Sequence, residues 1–210
     1  MLFDDSYFTI AGISSSEFRD KGSRFIALAY PVKSEAEVKS ILQAARKEHP
    51  QANHVCYAFR LTTDPTVFRS SDDREPSGSA GKPILAAIQS KGLTDTLVVV
   101  IRYFGGTLLG VPGLINAYRT AAYEALERSK IEEKWIMQGY IIRFTYELGS
   151  AVHQLLQNVN AKIHQQNYGE SCTINFDIRL HHAEKFEAAH RRHPLLAYKS
   201  QLEKTKHASA

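Results

Sequence analysis

Residues 97–118 read LVVVIRYFGGTLLGVPGLINAY. The stretch from Leu97 to Tyr103 is rich in β-branched residues, which is typical of a strand buried on both faces. A loop with several glycines follows, and apolar residues then recur at helical spacing from about Pro112 to Ser129. The sequence therefore predicts a buried strand, a loop and a helix in direct succession, within a domain that mixes helices with a β-sheet.

A second glycine-rich run lies upstream, where residues 72–83 read DDREPSGSAGKP. A predicted helix follows it, from Pro83 to about Gly92, because proline suits a first helical turn and glycine a helix end. Glycines let backbone N–H groups face a ligand, and a helix start adds unpaired donors and a partial positive charge. We interpret the two runs as one candidate binding site made of two loops.

The candidate ligand-binding residues supply charges, hydroxyls, a ring or glycine N–H groups. Lys82 and its helix start are suited to a phosphate or carboxylate, and Arg102 to a bidentate clamp on it. Tyr103 and Phe104 are suited to stack on a base or an aromatic side chain. The full set is Asp72, Asp73, Glu75, Ser77, Gly78, Ser79, Gly81, Lys82, Arg102, Tyr103, Gly105, Gly106, Gly110 and Gly113. The alternative is that the acidic residues pair with Lys82 and Arg102 and lock the loops, while the glycines only serve turns.

Neither loop carries a nucleotide-binding fingerprint. In the first loop, Pro76 stands where a P-loop begins with glycine, and Pro83 stands where it has Ser or Thr. The second loop does not follow the glycine order of a dinucleotide-binding turn. Oxygen ligands from Asp72, Asp73 and Glu75 would suit a divalent cation, but salt bridges and helix caps are commoner roles. We therefore predict neither a metal site nor a cofactor, and we assign no catalytic residue.

The composition favours a soluble protein. The chain has 210 residues, of which 43% are hydrophobic, and a formal net charge of +4. This charge permits nucleic-acid binding without requiring it, because no basic tail concentrates it. Cys56 and Cys172 match no metal-ligand spacing and indicate reduced thiols in a cytosolic protein. The acidic start of the chain and the lack of a long apolar run predict a cytoplasmic protein without a membrane partner.

Two further groups of side chains that include histidines are weaker candidate sites. His54 and Cys56 fall on the same side of a predicted strand, where a thiol–imidazole pair is possible and core packing is the favoured interpretation. Four histidines cluster around the last predicted helix, and we interpret them as exposed side chains because no carboxylate or cysteine completes a metal site. They are His181, His182, His190 and His193.

The first part of the chain continues the mixed pattern. Arg24 to Val32 is apolar and ends near a proline, which predicts a strand. Ser34 to His49 is predicted to be a helix, with Ser34 as N-cap and Glu37 at the capping-box position. His54 to Leu61 is predicted to be a strand, and Thr63 to Gly81 a long loop because it has no apolar period.

The pattern changes at Lys130 to Gln138, where we place a domain boundary. The elements predicted beyond it follow the order β-α-β-β-α-β, which is that of a ferredoxin-like domain. These are a strand through Ile142, Phe144, Tyr146 and Leu148, a helix around Val152–Val159, strands at Ala161–Tyr168 and Ile174–Leu180, a helix at Ala183–Arg191, and an edge strand at Leu196–Leu202. The predicted class is α+β, with two domains at 1–132 and 137–204.

The two glycine-rich runs resemble the loops of the IMPACT/YigZ family, which read close to DDGEPSGTAGKP and RYFGGIKLGxGGLxRAY. The likeness extends to residues 21–27 (KGSRFIA) and 53–60 (NHVCYAFR) and covers about Lys21 to Tyr118. It implies an N-terminal domain like the second domain of a small-subunit ribosomal protein, a sheet with helices on one face. It also implies a C-terminal domain like the fifth domain of elongation factor G.

The same resemblance directs the functional expectation. Eukaryotic members of the family regulate translation initiation by blocking activation of a stress-sensing kinase. We therefore expect a non-enzymatic, translation-associated protein whose loops bind RNA, the ribosome, a translation factor or another anionic partner. The alternatives are an enzyme, a hydrolase or transferase that acts on a phosphorylated substrate through Asp72, Asp73 or Glu75, and a purely structural module. The oligomeric state is not predicted.

Several positions depart from the family pattern, and four of these departures matter for the expected site. Arg74 replaces glycine, so we predict a backbone φ below zero there. Ser79 replaces threonine and keeps the hydroxyl, and Pro112 replaces glycine at a helix start, which tolerates proline. Asn116 replaces arginine and removes a cation from the expected site face.

Overall fold

The computed structural model describes residues 5–61, 67–169, 171–193 and 200–204. Contacts divide the described chain into two compact units, Tyr7–Lys134 and the flanking parts 5–6 and 135–204. Both helices and antiparallel strands are present in each unit, so the α+β class is confirmed. No helix among the described residues is long and apolar enough to span a membrane.

The first unit contains seven strands and three α-helices among its described residues. They are β1 (Ser6–Ile10), β2 (Ser14–Asp20), β3 (Ser23–Pro31), α1 (Glu35–Glu48), β4 (His54–Arg60), β5 (Phe68–Ser71), α2 (Gly81–Ser90), β6 (Thr96–Tyr103), α3 (Gly110–Glu127) and β7 (Ile131–Trp135). Five strands form an antiparallel sheet in the order β2-β3-β6-β4-β5, and β1 pairs with β7 in a separate ribbon. The central strand β6 is buried along almost its whole length, as its sequence predicts.

Helices cover both faces of this sheet. Helices α2 and α3 pack with Val98 and Val100 of β6, and α1 packs with Val99 and Ile101 on the other side. The implied arrangement with helices on one face is therefore wrong for this chain. The reason is visible in β6, where successive side chains point to opposite faces and both sets are apolar, so each face needs cover.

The start of α1 confirms the predicted N-cap. The Ser34 hydroxyl accepts a hydrogen bond from the Glu37 N–H at 3.2 Å. The Glu37 carboxylate accepts from the Lys33 N–H at 2.8 Å, one residue earlier than a capping box would place it. The backbone N–H groups of Lys33 and Glu37 therefore each have a side-chain acceptor.

Four strands of the first unit were not predicted. The predicted loop Thr63–Gly81 contains β5, a four-residue edge strand too short to show an alternating pattern; residues 62–66 lie outside the described part. The division between the two units falls within the predicted boundary at Lys130–Gln138, but this segment also contains β7, a charged strand that pairs with β1 in a two-stranded ribbon of the described residues. Strands β1 and β2 were not predicted, because β1 has one ladder partner and β2 is an edge strand.

The second unit places two helices against one face of a four-stranded sheet. Its elements are β8 (Met137–Phe144), a 3₁₀ turn (Tyr146–Leu148), α4 (Gly149–Asn158), β9 (Lys162–Asn167), β10 (Cys172–Arg179), α5 (Leu180–Arg192) and β11 (Ser200–Lys204). The sheet order is β11-β8-β10-β9, and both helices contribute to one core with β8 and β10. The alternation predicted along β10 is confirmed for Ile174, Phe176 and Ile178, which are all buried, whereas Leu180 is exposed and begins α5.

Two ends in this unit differ from the prediction. The strand predicted to run through Leu148 ends at Phe144, and the 3₁₀ turn then leads into α4. Of the predicted edge strand, residues 196–199 lie outside the described part, and the observed strand begins at Ser200.

Candidate binding site at the two glycine-rich loops

Both glycine-rich loops emerge at one end of the five-stranded sheet. The first joins β5 to α2, and the second joins β6 to α3. Strand β4 places His54 opposite Arg102, while β3 places Arg24 opposite Tyr103 at the same end. The turn between β2 and β3 therefore lies beside the two loops. The pairing of antiparallel strands thus brings together runs that are far apart in the sequence.

A buried ion pair joins the two loops. The Glu75 Oε1 atom accepts hydrogen bonds from Arg102 Nη1 at 2.6 Å and from the Tyr118 hydroxyl at 2.7 Å. Arg102 Nη2 lies 3.4 Å from Ser23 Oγ, and the side chains of Arg102 and Glu75 are only 6% and 4% exposed. Burial raises the pKa of Tyr118, so the phenol keeps its proton and acts as a donor. Arg102 is thereby held by the chain itself, which favours the locking interpretation for this residue.

Asp72 occupies the start of α2. Its Oδ1 accepts from the N–H groups of Gly81 at 2.7 Å and Ala80 at 3.0 Å, and its Oδ2 accepts from the Gly78 N–H at 2.8 Å. Burial acts to raise the pKa of Asp72, but these three bonds and the nearby charge of Lys82 lower it overall. An internal carboxylate thus fills the anion position that the helix start offers.

Replacing Asp72 with asparagine is expected to lower the free energy of unfolding by about 1–2 kcal/mol near neutral pH, because an amide cannot accept all three bonds. The folded pKa of Asp72 is depressed. Its contribution is therefore present above the unfolded pKa of about 3.9 and is lost as the pH falls through the folded pKa. Urea unfolding across this pH range should show that the difference in free energy of unfolding between wild type and variant decreases as the pH falls. A difference that stays constant would contradict this role.

Asp73 and Arg74 form a left-handed turn. Asp73 Oδ2 accepts from the Val55 N–H at 2.7 Å, and Oδ1 lies 3.1 Å from Arg46. The backbone φ angles are 41° at Asp73 and 71° at Arg74, so the predicted negative φ at Arg74 is wrong. The tight turn, closed by the Glu75 N–H on the Asp72 carbonyl at 2.9 Å, requires the conformation that a glycine adopts without strain.

Tyr103 does not join the site. Its hydroxyl lies 2.8 Å from His49 Nδ1, and its side chain packs with the core under α1. Successive residues of a strand face opposite sides, so Arg102 and Tyr103 cannot both point into one pocket. Sequence analysis placed both in the site because they are adjacent. Phe104, which follows the end of the strand, lines the pocket instead of Tyr103.

Gly105 is required by a backbone contact. A Cβ atom at this position would lie 1.8 Å from the carbonyl carbon of Gly22, in the turn between β2 and β3. The Gly105 N–H also donates to Ser23 Oγ at 3.2 Å. This close approach fixes the second loop against the neighbouring turn.

The remaining predicted residues divide between structural and exposed positions. Ser79 is buried and donates to the Pro76 carbonyl at 2.6 Å, whereas Ser77 and Lys82 are exposed. Gly78, Gly106 and Gly110 have positive φ angles, and Gly113 packs against Leu109 in the first turn of α3.

A pocket of about 430 Å³ opens between the two loops. Its polar side consists of Asn53, His54, Glu75 and Arg102, and its apolar side is formed by the second loop and the start of α3. Phe104 and Leu108 are 44% and 82% exposed. The apolar lining residues are Phe104, Leu108, Leu109, Val111 and Leu114.

Sequence analysis proposed Phe104 as a stacking residue but did not include Asn53 or the other apolar residues in the site. The available signal was the occurrence of Phe104, Leu108 and Val111 in a loop, where large apolar side chains gain nothing from exposure. Asn53 could only be placed from the fold, where its Oδ1 accepts from the Phe104 N–H at 2.8 Å.

His54 and Cys56 do not form a reactive pair. Burial raises the pKa of the Cys56 thiol to about 12, so it remains protonated and lies 3.1 Å from the Asp72 carbonyl oxygen. His54 Nδ1 lies 2.8 Å from the carbonyl oxygen of Asp73 instead. The favoured interpretation of core packing is confirmed for Cys56, which is fully buried.

The prediction that the four histidines around the last helix are all exposed is wrong. His190 is buried on the face of α5 that also carries Ala183 and Phe186, and burial lowers its pKa. Helical spacing explains this, since positions three and four apart share a face. Among the described residues, no group of three or more His, Cys, Asp and Glu side chains is arranged to hold a metal ion.

Comparisons with known proteins identify relatives of this chain. The Impact N-terminal domain matches residues 21–126, which include both loops and all pocket residues. YvyE of Bacillus subtilis, named as an IMPACT family member, is 38% identical over 133 residues, covering 63% of this chain and 61% of its own. YigZ of Escherichia coli is 34% identical over 150 residues, with 70% and 74% covered.

Two further matches extend over more of the chain. An IMPACT family member of Thermus thermophilus is 39% identical over 160 residues, covering 75% of this chain and 84% of its own. A crystal structure described as that of a hypothetical protein is 28% identical, has a TM-score of 0.72, and covers 96% of this chain and 98% of its own. The chain belongs to the IMPACT family.

Proposed function

We propose that this IMPACT family protein is a non-enzymatic, translation-associated protein that binds RNA, including RNA of the ribosome, at the end of the sheet where the two loops meet. The observation that carries the proposal is the distribution of charge there. The acidic side chains of the first loop are bonded inward, and basic side chains stand outward. Its place of action would be the cytoplasm, where translation occurs.

The inward bonding reduces the repulsion that acids would exert on a polyanion. Asp72 accepts three backbone N–H groups, Asp73 is bonded to Val55 and Arg46, and Glu75 is paired with Arg102. Because these carboxylates are engaged by the chain, they are poorly placed to act as general acids or bases on a substrate. This arrangement supports binding over the enzymatic alternative.

Three exposed cations lie on the first loop or in the turn between β2 and β3, which contacts the second loop. Lys82 lies beside Gly78, Arg74 reaches the Asn53 carbonyl at 3.4 Å, and Lys21 precedes Gly22, which contacts Gly105. Each cation that meets a phosphate releases a counterion, so affinity should fall with salt concentration. These residues replace the buried Arg102 as the cations on which the proposal rests.

The proposal includes an architectural inference for both units. The β-α-β-β-α-β order and the sheet order β11-β8-β10-β9 support a ferredoxin-like domain at 137–204. The likeness of the loops supports a ribosomal-protein-like domain at 1–132. Folds of both kinds suit a protein that contacts the translation machinery, although fold alone does not establish function.

The test compares two triple variants by ribosome cosedimentation and by binding to a single-stranded RNA. Replacing Lys21, Arg74 and Lys82 with alanine should weaken binding and reduce the slope of log affinity against log salt by about 2. The control replaces Lys33, Lys39 and Lys130, exposed lysines just before α1, within α1 and just before β7, and so removes the same charge away from the loops. Equal slopes of log affinity against log salt concentration for the two triple variants would contradict the proposal.

A further inference from the structure

We propose that the pocket between the two loops receives one unpaired nucleobase, with Phe104 as the stacking surface and Asn53 and His54 as the groups that read its edge. This inference rests on the proposed function, in which the partner is RNA, and names what the partner places in the pocket. Phosphates would remain outside, near the exposed cations.

The chemistry of the polar side excludes phosphate and suits a neutral group. The Glu75 carboxylate lies in the pocket lining, and Arg102 beside it neutralises that charge at 2.6 Å. A phosphate in the pocket would meet a carboxylate whose cation is already engaged, whereas a neutral, planar group would not be repelled. The volume of about 430 Å³ falls within the range of roughly 300–1,000 Å³ for small-ligand sites and so suits a single base.

The apolar side offers a ring face held in place. The Arg102 guanidinium lies 5.6 Å from the centre of the Phe104 ring and 5.4 Å from that of Phe25. The Phe104 backbone is anchored by its N–H on Asn53. Because these contacts hold the exposed Phe104 ring in place, a base can stack on it at little entropic cost.

The polar side offers a donor and an acceptor to the edge of that base. Asn53 Oδ1 is engaged by the Phe104 N–H, so the amide NH₂ is the group that can donate to a ligand. His54 Nδ1 contacts a carbonyl oxygen, which can only accept, so Nδ1 carries the proton and Nε2 of the neutral ring is an acceptor. Nε2 lies 3.7 Å from Glu75 Oε1, which is too long for a hydrogen bond and forms an ion pair only when the ring is protonated. The Watson–Crick edge of a base presents the complementary groups side by side.

The experiment measures binding of a short single-stranded RNA and of the same RNA carrying abasic sites. Phe104→Ala should weaken binding of the intact RNA about tenfold, while leaving the abasic RNA unaffected, because loss of one stacked base is of that order. Phe104→Tyr keeps the ring and should retain binding. Phe68→Ala is the matched control, since Phe68 is also 44% exposed and pairs with Arg60 at the far end of β4 from His54.

The outcomes separate this inference from the proposed function. Salt-dependent binding that is equal for intact and abasic RNA would overturn the base pocket and leave the proposed function standing. If no RNA binds, adenosine monophosphate provides an independent probe. Chemical-shift changes at Asn53, His54 and Phe104 that are absent in Phe104→Ala would support the pocket, and their absence in wild type would overturn it. Thermal unfolding checks that each variant is folded.

Discussion

Replacing Glu75 with glutamine is expected to lower the free energy of unfolding of the first unit by about 3–5 kcal/mol, because it leaves the buried Arg102 charge without its counter-charge. Both side chains are almost fully buried, and the pair is 2.6 Å apart. The neutral amide has a similar shape, so the loss reports charge more than volume. It also weakens the bond that Tyr118 donates.

Hydrogen exchange of the β6 amides is the suitable measurement, because β6 lies at the centre of the first unit. A double variant, Glu75→Gln with Arg102→Met, should be more stable than Glu75→Gln alone, since removal of both charges leaves none buried and unpaired. The control is Glu17→Gln, which breaks exposed pairs with Arg19 and Arg24 and should change little. Unchanged protection of β6 in the single variant would show that the ion pair is not needed.

Replacing Gly105 with alanine is expected to cost about 3 kcal/mol, at the upper end of the range for overpacking, because the new methyl group would meet backbone atoms. The nearest would be the Gly22 carbonyl carbon at 1.8 Å and the Ser23 nitrogen at 2.1 Å. The backbone of β2 and β3 cannot move aside as a flexible side chain can, so the second loop must shift instead. Displacement of Phe104 would then also weaken the proposed RNA binding.

The same substitution at Gly12 provides the control. A Cβ there meets nothing within 4 Å, and its φ is not among the positive values, so Gly12→Ala should be close to neutral. Thermal unfolding should separate the two variants by roughly 10 °C. Equal midpoints would mean that the loop and the turn between β2 and β3 are not in contact in solution.

Much of the fold could be predicted because burial imposes a period on the sequence. Strands β3, β4, β6 and β10 and the helices α1 to α3 bury apolar faces, and their spacing shows it. Strands β1, β5 and β7 could not be predicted in this way. They are short and lie in a two-stranded ribbon or at a sheet edge, where no alternating apolar face is required.

The sequence by itself determined the α+β class, the two loops and the family, because these depend on residue types at fixed spacing. Only the tertiary structure decided what the charges do. Glu75 and Arg102 are 27 positions apart and meet because β4 pairs with both β5 and β6, with Tyr118 of α3 as a third partner. Long-range contacts of this kind leave no periodic trace in a sequence. The same pairing turns the acids inward, leaves Phe104 and three cations outward, and creates the pocket between the loops.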